Sequence, residues 1–111
     1  MTEIVEFSTE VGPELLQAIG TGLIIVDAKW SGPSRVTTRI ATERAKAIGV
    51  HRVFIVDHDC SSRLQAHFNN GQSKFHGWGE MLYISDGAVT AFSGHLTFGQ
   101  IDSWLDAVTR G

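Results

Sequence analysis

Apolar and polar positions along the chain fall into short runs whose spacing switches between strand and helix periods. Ile4 to Phe7 is an alternating apolar run, followed by Ser8-Thr9-Glu10 and then by Pro13 ahead of Leu15, Leu16 and Ile19. This predicts a strand leading into a helix, because a first helical turn accepts proline where its missing N–H would be unpaired anyway. Gly20 and Gly22 end that helix. Leu23 to Ala28 is β-branched and apolar up to Asp27, the pattern of a central strand covered on both faces.

A longer helix is predicted from Arg35 to Ile48, a stretch rich in Ala, Arg, Glu and Lys. Val36, Ile40 and Ala47 fall within a narrow arc at about 100° per residue and form its expected buried stripe; Gly49 is its C-terminal cap. Arg52 to Val56 is a second β-branched run suited to a buried parallel strand. Asp59 is expected to cap a helix carrying Leu64 and Phe68 four residues apart, with Asn69-Asn70-Gly71 as its stop.

The last third changes period. Met81 to Ile84 and Ala88 to Phe92 are short apolar runs separated by Ser85-Asp86-Gly87, and Asp-Gly between such runs signals a hairpin. Thr97-Phe98-Gly99-Gln100 then reads as a capping box, after which Ile101, Trp104, Leu105 and Val108 share one helical stripe and read as core. The element order is β-α-β-α-β-α-β-β-α. It predicts an α/β fold in which a parallel sheet gains an antiparallel hairpin at one side, with helices on both faces. Ligands of such sheets meet the carboxyl ends of the strands, which directs attention to the loops after Ala28 and Val56.

Composition narrows the picture further. A chain of 111 residues that is 42% hydrophobic can bury one core of ordinary size, so residues 1–111 are expected to form a single domain. Nine basic residues against twelve acidic ones give a net charge of -3, with no Lys/Arg run. Nucleic acid is therefore not an expected partner, since phosphate recognition needs a basic patch. The longest apolar stretch is Leu23-Ile24-Ile25-Val26, far short of the roughly 20 residues of a membrane-spanning helix, so no membrane partner is expected. The acidic start, Met1-Thr2-Glu3-Ile4-Val5-Glu6, lacks the basic and apolar regions of a signal peptide. A single cysteine, Cys60, fits a reducing compartment, and a cytoplasmic location is the expectation.

At the first of the two loops stands Ala28-Lys29-Trp30-Ser31-Gly32-Pro33-Ser34. It resembles the Trp-Cys-Gly-Pro-Cys signature of the thioredoxin family, with Ser31 and Ser34 at the cysteine positions. The resemblance extends over nearly the whole chain. Val56-Asp57-His58-Asp59-Cys60 is similar to the Val-Asp segment that ends the family's central strand, Ser85-Asp86-Gly87 to its last hairpin turn, Gly94 to its later glycine, and Gln100 to Leu105 to its final helix. It implies a thioredoxin-like fold, and a groove formed here by Trp30, Ser31, Gly32, Pro33, Ser34, Trp78, Gly79 and Gly94.

The chemistry implied by the family does not carry over. A thiolate must attack a disulfide and a second thiol must resolve the mixed intermediate; a helix N-terminus lowers the first thiol's pKa. Serine ionises far too weakly, and no serine–sulfur couple cycles electrons. Gly79 lines up with the family's cis-proline. Because a non-proline cis bond costs about 3 kcal/mol more than trans, it is expected to be trans, with a groove of different shape. Ile25 stands where many thioredoxins bury an aspartate, so the proton relay is expected to be missing too. The segment from Asp59 to Gly77 is also longer than usual, leaving an extra polar loop at Asn69 to Ser73.

Among other candidates, Cys60 sits beside Asp57, His58 and Asp59. A reactive thiol there is favoured by a helix start and opposed by the acidic neighbours, and no metal site is expected because the ligand spacing is not an established one. Of the five histidines, only His76 is placed by the resemblance near the serine pair. Trp30 and Trp78 read either as exposed anchors for a protein partner or as packing against the first turn of the helix that begins at Ser34. The leading expectation is a redox-inactive binding, adaptor or assembly-chaperone module without a cofactor, whose partner is a protein or peptide. The alternative is a thiol-disulfide oxidoreductase present as a Cys-to-Ser active-site variant, and a third is a one-cysteine sensor acting through Cys60.

Overall fold

The computed structural model describes residues 1–69 and 75–110. The order of elements is β1 (Glu3–Phe7), α1 (Leu15–Ile19), β2 (Gly22–Asp27), α2 (Gly32–Ala47), β3 (Arg52–Asp57), a 3-10 turn (His58–Cys60), α3 (Ser62–Asn69), β4 (Met81–Ser85), β5 (Ala88–Ser93) and α4 (Phe98–Arg110). The strands form one sheet in the order β1-β3-β2-β4-β5. β1 and β2 both run parallel to β3, while β4 is antiparallel to β2 and β5 to β4. The hairpin turn places both Asp86 and Gly87 at positive φ, 52° and 78°, as a two-residue turn matched to strand twist requires.

β2 lies at the centre, and every one of its residues is buried. Its side chains alternate with the pleat. Ile24 and Val26 join Leu16, Ile19, Phe54, Val56, Leu64 and Leu82 in a core beneath α1 and α3. Leu23 and Ile25 join Ala41, Ala45, Val53, Met81, Ile101 and Leu105 beneath α2 and α4. Each fully buried Leu or Ile contributes about 1.5–3 kcal/mol of transfer free energy, and these two layers set the sheet on which the loops are mounted.

Three details depart from the sequence reading. α2 begins at Gly32, and its buried face is Ser34, Thr37, Thr38, Ala41 and Ala45, whereas Val36 and Ile40 are half-buried and Ala47 is exposed. Small side chains belong on that face because α2 packs on both the sheet and α4. Asp59 does not cap α3; Asp57 instead accepts the Asp59 N–H at 2.9 Å and caps the intervening 3-10 turn. Trp104 packs against the second core only partly buried. The expected polar loop at Asn69 to Ser73 lies largely outside the described residues. No helix among the described residues is long and apolar enough to cross a membrane.

Candidate functional site

The carboxyl end of β2 runs through Ala28, Lys29 and Trp30 into α2. Ser31 caps that helix in extended conformation, its Oγ accepting the Ser34 N–H at 3.3 Å, with Pro33 in the first turn. Gly32 and Pro33 carry no buried face and are exposed. Ser34 is fully buried. Its Oγ accepts the Ala28 N–H at 2.8 Å and donates to Asp27 Oδ1 at 2.8 Å; the Arg35 guanidinium holds the other carboxylate oxygen at 3.2 Å. Both Oγ contacts are at ordinary oxygen hydrogen-bond lengths.

Asp27 bears on the expectation, drawn from Ile25, that the proton relay is missing. Ile25 is indeed apolar and fully buried, but Asp27, two residues on, is only 2% exposed. It is oriented by Ser34 and Arg35 rather than by solvent, and a buried carboxylate needs such partners.

The facing wall is the loop from His76 to Glu80. Gly77 and Gly79 both take positive φ, 81° and 84°, and no cis peptide occurs among the described residues, so the bond at Gly79 is trans. A side chain on Gly77 would run into the Trp30 ring, and one on Gly79 would press on Thr37. Glu80, which sequence reasoning passed over, is fully buried. Its carboxylate accepts the His76 N–H at 2.7 Å and the Trp78 N–H at 3.2 Å, while its backbone carbonyl accepts the Val26 N–H.

Trp30 and Trp78 are 62% and 44% exposed, so neither is consumed by packing on α2. The Trp30 indole N–H donates to Asp59 Oδ1 at 3.3 Å, and its ring meets His58 edge-on at 5.8 Å. Trp78 lies between His76 at 5.3 Å and His95 at 4.8 Å. Three histidines therefore line this end of the sheet, where sequence placed one. Gly94 opens the loop after β5 at the same end, because Ser93 pairs with Met81 and Met81 with Ile25. Beside it Pro33, Thr37, His95, Leu96 and exposed Phe98 line a hollow of about 320 Å³.

Cys60 stands apart from the serines. It is half-buried in the 3-10 turn, and its thiol donates to the Ser8 carbonyl at 3.9 Å. No group of three or more His, Cys, Asp or Glu among the described residues is arranged to hold a metal ion.

The architecture is shared with solved structures. Reduced desulfothioredoxin from Desulfovibrio vulgaris Hildenborough matches with a TM-score of 0.74 at 14% identity, covering 99% of this chain and 98% of that one. Thioredoxin from Trypanosoma brucei brucei matches at 0.73 and 12% identity, over 98% and 93% of the two chains. The chain has the thioredoxin fold. The reduced thioredoxin pre-protein of Schistosoma mansoni agrees, at 0.68 and 17% identity over 96% and 98%. No protein-family model matches the sequence, and no curated protein matches it. Within the thioredoxin fold, the β2–α2 turn, the loop before β4 and the loop after β5 meet at one end of the sheet, and Trp30, Ser31, Ser34, Trp78, Gly79 and Gly94 are all carried on them.

Proposed function

We propose that this thioredoxin-fold chain is a redox-inactive binding module, an adaptor or assembly chaperone, that engages a protein segment on the rim formed by Trp30, Ser31 to Ser34, Trp78 and Gly79. The observation that carries the proposal is the setting of Ser34. A fully buried oxygen is held between the Ala28 N–H and Asp27 at 2.8 Å on each side. A thiol, a weak donor and a weak acceptor, makes these two contacts less well than a hydroxyl does. The site is suited to a hydroxyl, which supports an account in which serine is the working residue over one in which it stands in for cysteine.

Two exposed tryptophans support the binding half of the reading, since such rings supply large contact area for few rotatable bonds. The absence of a second thiol leaves Cys60 without a resolving partner in the chain, and a cytoplasmic, reducing setting belongs to the same proposal. Insulin-disulfide reduction by the protein purified with its genomically encoded residues at positions 31 and 34, with dithiothreitol as electron donor, tests it: the rate stays at the protein-free background. Turnover above that background rejects the inactive module in favour of an oxidoreductase.

A further inference from the structure

A carboxylate buried under the loop that carries Trp78 has no part in the reading above. Glu80 is fully buried, yet no Lys or Arg pairs with it among the described residues. Its two oxygens instead accept one backbone N–H each, from His76 at 2.7 Å and from Trp78 at 3.2 Å. Leaving these two N–H groups without their acceptor is unfavourable. Gly77 and Gly79, at φ of 81° and 84°, let the chain turn back over its own carboxylate on both sides of Trp78.

We propose that Glu80 is the positioning residue of this rim, and that by occupying the Trp78 amide it sets how a partner is read. Resting on the binding surface proposed above, the inference specifies its mode. An extended segment that adds to a protein by strand pairing needs free backbone donors and acceptors; at Trp78 the donor is already used inside the loop. What the loop offers instead is the Trp78 ring, held between the His76 and His95 rings at 5.3 and 4.8 Å. Recognition runs through side-chain faces, and the partner presents side chains to it rather than a bare backbone edge.

Amide hydrogen exchange on the full chain, with no partner present, tests this independently of whether the rim binds anything. In the native chain the His76 and Trp78 amides are protected although their side chains are exposed. In Glu80→Gln, whose amide offers one acceptor oxygen in place of two, exchange at one or both rises about tenfold to a hundredfold, while the amides of β2 and β4 keep their protection. Glu80→Asp, one methylene shorter, fails to restore both. Unprotected His76 and Trp78 amides in the native chain, a measurement that needs no variant, overturn the proposal. So does a Glu80→Gln variant in which exchange rises equally across the sheet, since Glu80 is then a residue of global stability alone.

Discussion

The two walls of the rim are built on the same device and differ in how far their sequence announces it. On one side the turn into α2 rests on Asp27, whose carboxylate takes the Ser34 hydroxyl and the Arg35 guanidinium. On the other the loop before β4 rests on Glu80, whose carboxylate takes two backbone amides. Asp27 is tied through side chains, so its wall is specified by residues at 34 and 35. Glu80 is tied to the backbone, so its wall depends on glycines at 77 and 79 that allow the turn. A thioredoxin-fold end with serines at the cysteine positions and Gly79 at the position of the family's cis-proline is thus held by buried carboxylates, and the exposed tryptophans stand on ground fixed from beneath.

The sharpest way to break this symmetry is to remove one carboxylate at a time. Glu80→Ala leaves the His76 and Trp78 N–H groups without their acceptor and empties a fully buried site, and a loss of about 3 kcal/mol in unfolding free energy is expected from urea denaturation. Ser34→Ala strands both the Ala28 N–H and one Asp27 oxygen and is expected to cost about 2 kcal/mol. Ser34→Cys tests the suitability for a hydroxyl directly. The expected destabilisation is about 1–3 kcal/mol by overpacking and mismatched hydrogen bonds, and an unchanged or raised stability speaks for a site made for sulfur. Trp30→Ala and Trp78→Ala, made on exposed rings, are expected to change stability by only about 1 kcal/mol or less.

The smallest effect lies away from both walls. Glu14 has its carboxyl held below the usual range, first by hydrogen bonding to its own backbone N–H and then by Arg63 at 2.9 Å. A carboxyl lowered in the folded state adds stability above its unfolded pKa and loses it as pH falls through the folded value. Arg63→Ala therefore weakens a contribution that is present at neutral pH and disappears below the ordinary carboxylate range, read as a reduced acid-side slope in thermal unfolding. Both side chains are well exposed, so the change is slight.

What was legible in the sequence followed from pattern. The continuous run Leu23 to Val26, β-branched and closed off by glycines before it, has the pattern of a doubly covered strand, and Asp86-Gly87 between apolar runs signals a tight turn. The stripe of α2 was misread because Val36 and Ile40 outrank Thr37, Thr38, Ala41 and Ala45 in hydrophobicity, while close approach to α4 rewards small size. Asp27 and Glu80 were illegible for a common reason. An acid at the end of an apolar run reads as the point where a strand meets water, and only the fold brings α2's first turn over one and a returning loop over the other. A serine seven residues after Asp27, at a helix's first turn, was the available signal for the first; nothing local marked the second.

Site-specific photo-crosslinking tests the central claim most directly, with a benzophenone amino acid placed at position 78 or, as a control, at position 107 in chains expressed in their native cells. Ala107 is exposed and lies beside Thr21, at the opposite end of the sheet from Asp27. The account predicts discrete protein adducts from position 78 and none of the same mass from position 107. Adducts absent at 78, or formed equally from both places, contradict it.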